Sequence, residues 1–271
     1  MTVHPALKAH LDSLYDSYGP SHLAADPIQF PRRFTRPADR EIAGFIAAAL
    51  AYGRVAHIRK SVETVLALLG PHPAEALRGL ETARVGRELR RFTHRFNTGS
   101  DVAEMLAILK HVVEERGSLN AAFLEGFDQA SPDVGQALTR FSRRALEIHR
   151  GISSRRRGRA SRAGVRFFFS SPEDGSACKR MNMYLRWMVR RDEVDLGVWS
   201  GVPVSKLVMP LDTHTARVCR RLGLSARRSA DWRMALEVTA ALRRLDPDDP
   251  VRYDFALYNW GLESADGRGA A

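Results

Sequence analysis

Cysteine is almost missing from this chain of 271 residues: Cys178 and Cys219 are the only two. Two thiols so far apart cannot supply the four thiolates of an iron–sulfur cluster or of a Cys-only zinc site. They read as reduced, buried small residues, and no cofactor and no metal are expected. Long apolar runs are missing too. The longest candidate, residues 42–51, is interrupted by Gly44 and followed by Gly53-Arg54, well short of the roughly 20 apolar residues that cross a bilayer. The opening Met1-Thr2-Val3-His4-Pro5 shows no basic stretch leading into an apolar core, so a cytoplasmic protein without a membrane partner is expected. Strand-like runs are scarce, with residues 165–169 the one short candidate. Acidic residues are outnumbered, 31 against 42 Lys and Arg, for a net charge of +11. That excess favours a polyanionic partner, because each phosphate neutralised by Lys or Arg releases condensed counterions.

What is present is a helical pattern. Hydrophobic residues make up 44% of the chain, ordinary for a globular protein. Ile42, Phe45, Ile46, Ala49 and Leu50 recur at three and four, and the pattern resumes at Val55, Ile58, Val62, Val65 and Leu69, with Gly53 dividing two helices. Met105, Leu106, Leu109 and Val112 repeat it, and Ser118 after Gly117 reads as an N-cap. An all-α fold is expected. Segment 150–166 holds seven Arg and no acidic residue. With Gly151, Gly158 and Gly164 among several Ser, it reads as a mobile loop that is either solvated or ordered by phosphate. Ser171-Pro172 opens a helical stretch with Ala177, Met181, Tyr184, Leu185 and Met188 as its buried stripe. Residues 192–209, with Gly197, Gly201 and Pro203, read as a connection. Asp212 caps a helix ending at Gly223, Ser229 caps another, and Asp249-Pro250 starts a last one closing at Gly261.

The string Pro210-Leu211-Asp212-Thr213-His214-Thr215-Ala216-Arg217 is the most specific stretch. A carboxylate before a helix is stabilised by free backbone N–H groups and the helix dipole, and most such residues are caps and nothing more. The whole string, however, resembles the active-site segment of the helix-hairpin-helix DNA glycosylases, endonuclease III among them. Their essential aspartate opens a helix in a Pro-x-Asp-x-His-x-x-Arg-like context. Pro210, Asp212, His214, Arg217 and Leu222-Gly223-Leu224 stand at the matching places.

That resemblance implies two helical lobes around a DNA-binding cleft, one from about residue 37 to 204 and the other combining residues 1–36 with 205–271. It also implies a lysine nucleophile upstream of the aspartate. Lys179 is the best candidate, and the 33 positions separating it from Asp212 look like the archaeal 8-oxoguanine glycosylase branch, which has an extended connection. Lys206 ranks well below it. Gly175 is the one glycine before Lys179, where the family's hairpin usually has two. Flanking positive charge from Arg180 and Arg186 disfavours an ammonium at Lys179. The implied function is base-excision repair on damaged double-stranded DNA: a monomeric DNA glycosylase, with an abasic-site lyase step, removing an oxidised base such as 8-oxoguanine. Expected DNA contacts are His214, Arg54, Arg155, Arg156, Arg157, Arg159, Arg180 and Arg217, and the base pocket would draw on Trp187, Phe168 and Trp199. Two other readings stay open. One is a monofunctional glycosylase in which Asp212 activates water. The other is a non-catalytic DNA- or RNA-binding protein on the same fold. Geometry separates the last of these: catalysis needs Lys179 and Asp212 a few ångströms apart in one cleft.

Overall fold

A computed structural model describes residues 5–154 and 162–265, and within them the chain is helical apart from one small hairpin. Helices α1 (Pro5–Ser17), α2 (Gln29–Arg32), α3 (Pro37–Ala49), α4 (Val55–Leu69), α5 (Pro73–Arg78) and α6 (Thr82–Glu88) lead to strands β1 (Thr93–His94) and β2 (Asn97–Thr98). Then come α7 (Gly99–Arg116), α8 (Leu119–Leu124), α9 (Gly135–Ser154), α10 (Arg162–Phe168), α11 (Lys179–Val189), α12 (Thr213–Arg221), α13 (Trp232–Arg243) and α14 (Asp254–Ala265). No helix is long and apolar enough to cross a membrane among the described residues.

Helix α3 packs on α2, α4, α5 and α11, while α7 gathers α5, α6, α8, α9 and α10. Helices α1 and α12 both pack on α14. One continuous apolar core joins the two sets. Gly44, which breaks the apolar run in the sequence, has a packing reason: a Cβ there would lie 2.8 Å from Met188 Cε. The bare backbone lets α11 approach α3 closely.

Beneath the core's apolar surface runs a chain of buried ion pairs. Arg186 on α11 donates from Nε to Asp195 at 3.1 Å and pairs through Nη1 with Asp254 at the start of α14. Arg190 pairs with Asp192, with Asp195 at 3.0 Å and with Asp249 at 2.6 Å, and reaches the Tyr15 hydroxyl of α1 at 3.2 Å. Each guanidinium leaves water for several acceptors at once, which is the arrangement that makes burying it tolerable. The network fastens α1, α11, α14 and the connection between α11 and α12 to one another.

Several expected boundaries move. Residues 165–169, read as the strand candidate, are not a strand: 165–168 belong to α10, and Val165, Phe168 and Phe169 are buried. Segment 150–166 is not one loop, because α9 continues to Ser154 and α10 begins at Arg162. The apolar stripe Leu138, Phe141, Ala145, Ile148 carries α9 past Gly151, and arginine is a good helix former. Arg155, Arg156, Arg157 and Arg159 lie outside the described residues. Asp231, not Ser229, caps α13, accepting from Met234 N at 2.8 Å. The last helix starts at Asp254 rather than Asp249-Pro250 and runs through Gly261, where a Cβ would lie 2.7 Å from Val218 Cγ2. Gly261 is therefore a contact point with α12 and not a terminus.

The hairpin was not expected. Its strands are two residues each, paired Thr93 with Thr98 and His94 with Asn97, too short for alternation to register. Its turn, Arg95-Phe96, lacks the Asn-Gly signature, yet Arg95 adopts φ 56°, a left-handed conformation that two-residue hairpins demand.

Candidate active site

Asp212 stands where a helix needs an acceptor. It is the extended residue before α12, and its Oδ1 accepts from the N–H groups of His214 and Thr215, each at 2.9 Å. These are two of the donors that a helix start leaves without partners. Its other oxygen, Oδ2, lies 3.5 Å from Lys179 Nζ. The capping role and the lysine contact thus use different oxygens of one carboxylate and do not compete. At the far end, Leu224 N donates to Cys219 O and Gly223 N to Arg220 O, with Gly223 at φ 70°. This Schellman closure fixes the length of α12.

Lys179 is the first residue of α11. The ten residues between α10 and α11 are tightly held. Ser171 caps a short 3-10 turn, Gly175 takes a left-handed conformation, and Cys178 takes a second at φ 49°. Trp232 N donates to Gly175 O at 3.3 Å, and Ser176 bridges Asp231, so the turn is pinned to the start of α13.

The long separation in sequence has a geometric reason. Helix α11 has 11 residues, about 16 Å at 1.5 Å per residue, and it carries the chain away from Lys179. The connection then folds back along it: Leu196 N donates to Trp187 O and Trp199 N to Met188 O. The chain returns so that the N-terminus of α12 lies beside the N-terminus of α11.

Lys179 and Asp212 face a cleft of about 750 Å³, lined also by His22, Asp26, Tyr52, Arg54, Met183, Arg186, His214, Asp254, Tyr258 and Asn259 among others. That volume is in the range of small-molecule sites. Lys179 Nζ sits 5.4 Å from the centre of the Tyr258 ring. Burial by itself would raise the Asp212 carboxyl, but the Lys179 ammonium and the Thr215 and His214 N–H groups more than offset it and hold it below its ordinary value. Asp254 behaves oppositely: burial raises it to about 6, against the pull of Arg186 and Lys179, and Asp195 and Asp212 add to the rise. Asp26 is raised by burial too, opposed by the Ile28 N–H and by Arg186 and Lys179. Burial and these three carboxylates, Asp26, Asp212 and Asp254, push the Tyr258 phenol up to about 12. The cleft therefore gathers three carboxylates around one lysine, with Arg54, Arg95, Arg180 and Arg186 also in its wall.

The expected contacts divide. Arg54 and His214 line the cleft and are exposed. Arg180 also lines it, but its guanidinium donates to Ala49 O at 2.9 Å and to Phe167 O and lies 3.5 Å over the Phe167 ring. Burial lowers it to about 10. It is a strut from α11 to the end of α3 and to α10. Arg217 is exposed on α12, outside the cleft lining. Trp187, Phe168 and Trp199 are 0%, 1% and 7% exposed and belong to the core, so they are not the base pocket. Phe168 on α10, Trp187 on α11 and Trp199 in the connection after α11 all turn into the core. Lys206 donates to Ser131 O at 2.7 Å, away from the cleft. Of the two arginines flanking Lys179, Arg186 is matched by Asp195 and Asp254, and Arg180 donates to the carbonyls of Ala49 and Phe167. Among the described residues, no group of three or more His, Cys, Asp and Glu is placed to hold a metal ion.

Sequence reasoning missed Asp26, Asp254, Tyr52 and Tyr258. Asp26 precedes Pro27 and looks like a turn residue, and its Oδ1 does accept from Ile28 N at 2.8 Å. Asp254 follows a run of acidic residues at 246–249 and gives no local sign of being enclosed. Neither tyrosine lies in a motif. No curated protein and no solved structure matches the chain. Over residues 26–263, a span that contains the whole cleft apart from His22 and Ala25, the chain matches the family described as Protein of unknown function (DUF2400), and it belongs to that family.

Proposed function

We propose that the cleft is the active site of a DNA glycosylase with an abasic-site lyase step, removing an oxidised base such as 8-oxoguanine from double-stranded DNA. The observation that carries this reading is the approach of Lys179 Nζ to Asp212 Oδ2, 3.5 Å apart in one cleft across 33 positions of sequence. A second feature supports it. The turn before Lys179 has two left-handed residues, Gly175 and Cys178, so a tight turn leads into the lysine although it holds one glycine where the resembling family's hairpin usually has two.

In this reading a nucleotide turned out of the duplex enters the cleft. Breaking its N-glycosidic bond builds positive charge on the deoxyribose, and the Asp212 carboxylate, held ionised by its cap position, stabilises that charge. The Lys179 amine, having given up a proton, attacks C1′ as the C1′–N bond breaks; the base leaves with that electron pair and takes up a proton, and cleavage of C1′–O4′ then opens the ring to the Schiff base. Asp254, raised to about 6, is a carboxyl able to hold such a proton near neutral pH. Tyr258 lies under the lysine and limits where its amine can point.

Borohydride trapping tests this on duplex oligonucleotides carrying 8-oxoguanine, an oxidised pyrimidine or an abasic site. Wild type should cross-link to the abasic duplex and to at least one lesion, and Lys179→Ala should not. Excision without cross-linking would leave Asp212 acting on water. Salt-sensitive binding with neither excision nor cross-linking would mean a binding module.

A further inference from the structure

Three cations of the cleft have no carboxylate to answer them. Lys179 and Arg186 pair with Asp212 and Asp254, and the cations that act on Asp26 are again those two. Arg54, Arg95 and Arg180 line the same cleft, and among the described residues no ion pair engages any of them. No Asp or Glu occurs in residues 50–62 or 89–100. Asp101, a carboxylate that acts on Tyr52, accepts from the N–H and hydroxyl of Thr98 in the cap of α7.

The three converge on Tyr52-Gly53. A Cβ at Gly53, which has φ 96°, would lie 3.0 Å from Arg95 Cδ and 3.7 Å from Arg95 Nη1, so the Arg95 side chain runs over this backbone. Arg54 is next in the chain. Arg180 Cζ stands 5.2 Å from the centre of the Tyr52 ring, and the charges of Arg180 and Arg95 both act on the Tyr52 phenol. The frame that holds them is rigid. The Tyr52 hydroxyl reaches His94 O at 3.0 Å and Asn97 Oδ1, on both sides of the turn that carries Arg95. Asn97 donates to Gly164 O at 2.9 Å, and the His94 ring is fixed between Ser61 Oγ at 2.8 Å and Tyr52 O at 3.0 Å. Phe96, 56% exposed, rests edge-on against Phe167 at 4.6 Å. Arg180 donates from its two terminal nitrogens to Ala49 O and Phe167 O, and its Nε has no acceptor among the described residues. Burial disfavours its charge, and no carboxylate opposes that.

A partly buried guanidinium without a counter-charge is costly, and guanidinium groups converging in a fixed frame match the oxygens of a phosphate. The number of cations then chooses between phosphates. A monoester carries about two negative charges near pH 7, whereas a diester within a strand carries about one. We propose that Arg54, Arg95 and Arg180 form an anion site in the cleft that binds a phosphate monoester in preference to a diester. Two carriers share that chemistry, a free nucleoside monophosphate and the phosphorylated end of a strand. The second follows from the lyase reading, and only this carrier rests on it. Elimination from the Schiff base removes a C2′ proton and breaks C3′–O3′, and the phosphate leaves with that electron pair as a 5′-phosphate end. The arginine wall then holds the cut strand more firmly than the intact one.

Calorimetric titration tests this in two arms. One compares deoxyguanosine 5′-monophosphate with its methyl phosphodiester. The other compares a gapped duplex bearing a 5′-phosphate at the gap with the same duplex bearing the methyl ester there. Wild type should prefer the monoester by about tenfold or more in at least one arm, the lower end of what a charge-assisted contact contributes. The arm that shows the preference identifies the carrier. Arg54→Gln with Arg95→Gln should bring it down to about twofold or less, since exposed charges alone discriminate weakly. Arg180 stays in place because it braces the fold. Arg78→Gln with Arg87→Gln removes the same charge from exposed positions of α5 and α6 outside the cleft and should leave the preference unchanged. Equal binding of monoester and diester in both arms would overturn the site, as would equal loss in the two double variants. Absence of borohydride trapping with the monoester preference intact would overturn only the lysine chemistry.

Discussion

Replacing Asp212 by Asn and by Ala separates what its two oxygens do. Oδ1 caps α12 through two hydrogen bonds of 2.9 Å. Asn caps nearly as well as Asp, whereas Ala cannot, which costs about 1 kcal/mol. Oδ2 faces Lys179 at 3.5 Å with the two side chains 27% and 24% exposed, so that pair adds at most about 1 kcal/mol after solvent screening. Asp212→Ala should therefore lose roughly 1–2 kcal/mol, a fall of about 2–8 °C in Tm for a chain of this size. Asp212→Asn keeps the cap and loses only the pair with Lys179, at most about 1 kcal/mol, so its Tm should fall by no more than about 2–4 °C. The chemistry should respond differently, because both variants remove the negative charge. Excision and borohydride trapping should fall about 10²- to 10³-fold in each, the scale of losing one preorganised electrostatic partner. Differential scanning fluorimetry and single-turnover trapping on the same preparations decide it. Asn trapping at the wild-type rate would refute the charge argument, and Ala melting with Asn would refute the capping argument.

Three other outcomes follow from the packing and electrostatics. Gly99→Ala places a Cβ 1.9 Å from Leu89 O, a clash with backbone that cannot rotate away. It should destabilise by about 3 kcal/mol or more in urea unfolding, and a loss under about 1 kcal/mol would contradict the approach of the two segments. Arg186→Met leaves Asp254 buried without its cation and should cost about 3–5 kcal/mol, where a near-neutral result would mean that the pair is open to water. For Asp254, burial raises the folded-state value to about 6 from 3.8, so the folded protein holds this proton more tightly than the unfolded chain. The resulting stabilisation is complete below about pH 4 and is lost as pH rises through about 6. In Asp254→Asn the Tm–pH profile should fall less steeply over that window than in wild type; parallel profiles would place the carboxyl elsewhere.

How much was legible in the sequence depended on how local each cause was. Helix periodicity at Ile42, Phe45 and Ile46, at Met105, Leu106 and Leu109, and at Met181, Tyr184 and Leu185 places those residues in the core, all at 3% exposure or less. The Asp212 cap and the Gly223 stop were readable for the same reason, since each acts on backbone groups within a few residues. Trp187, Phe168 and Trp199 show the limit. Aromatic type alone does not say whether a ring lines a cleft or fills a core, and the packing of α10, α11 and the connection after α11 put them inside. The hairpin at 93–98 was invisible because what stabilises it comes from Tyr52, Ser61 and Gly164, far away in the chain.

The sequence by itself determined an all-helical chain with a strongly basic balance, and it marked Lys179 and Asp212 as candidates. Their meeting was decided only by tertiary structure, because it depends on a connection that folds back along α11 and on an ion-pair network that fastens it there. The same holds for Asp26, Asp254 and Tyr258, whose enclosure comes from helices distant in sequence, and for Phe96, whose exposure is set by what does not pack over it. Local hydrogen bonding and periodicity are written in neighbouring residues. Burial and convergence depend on the whole fold.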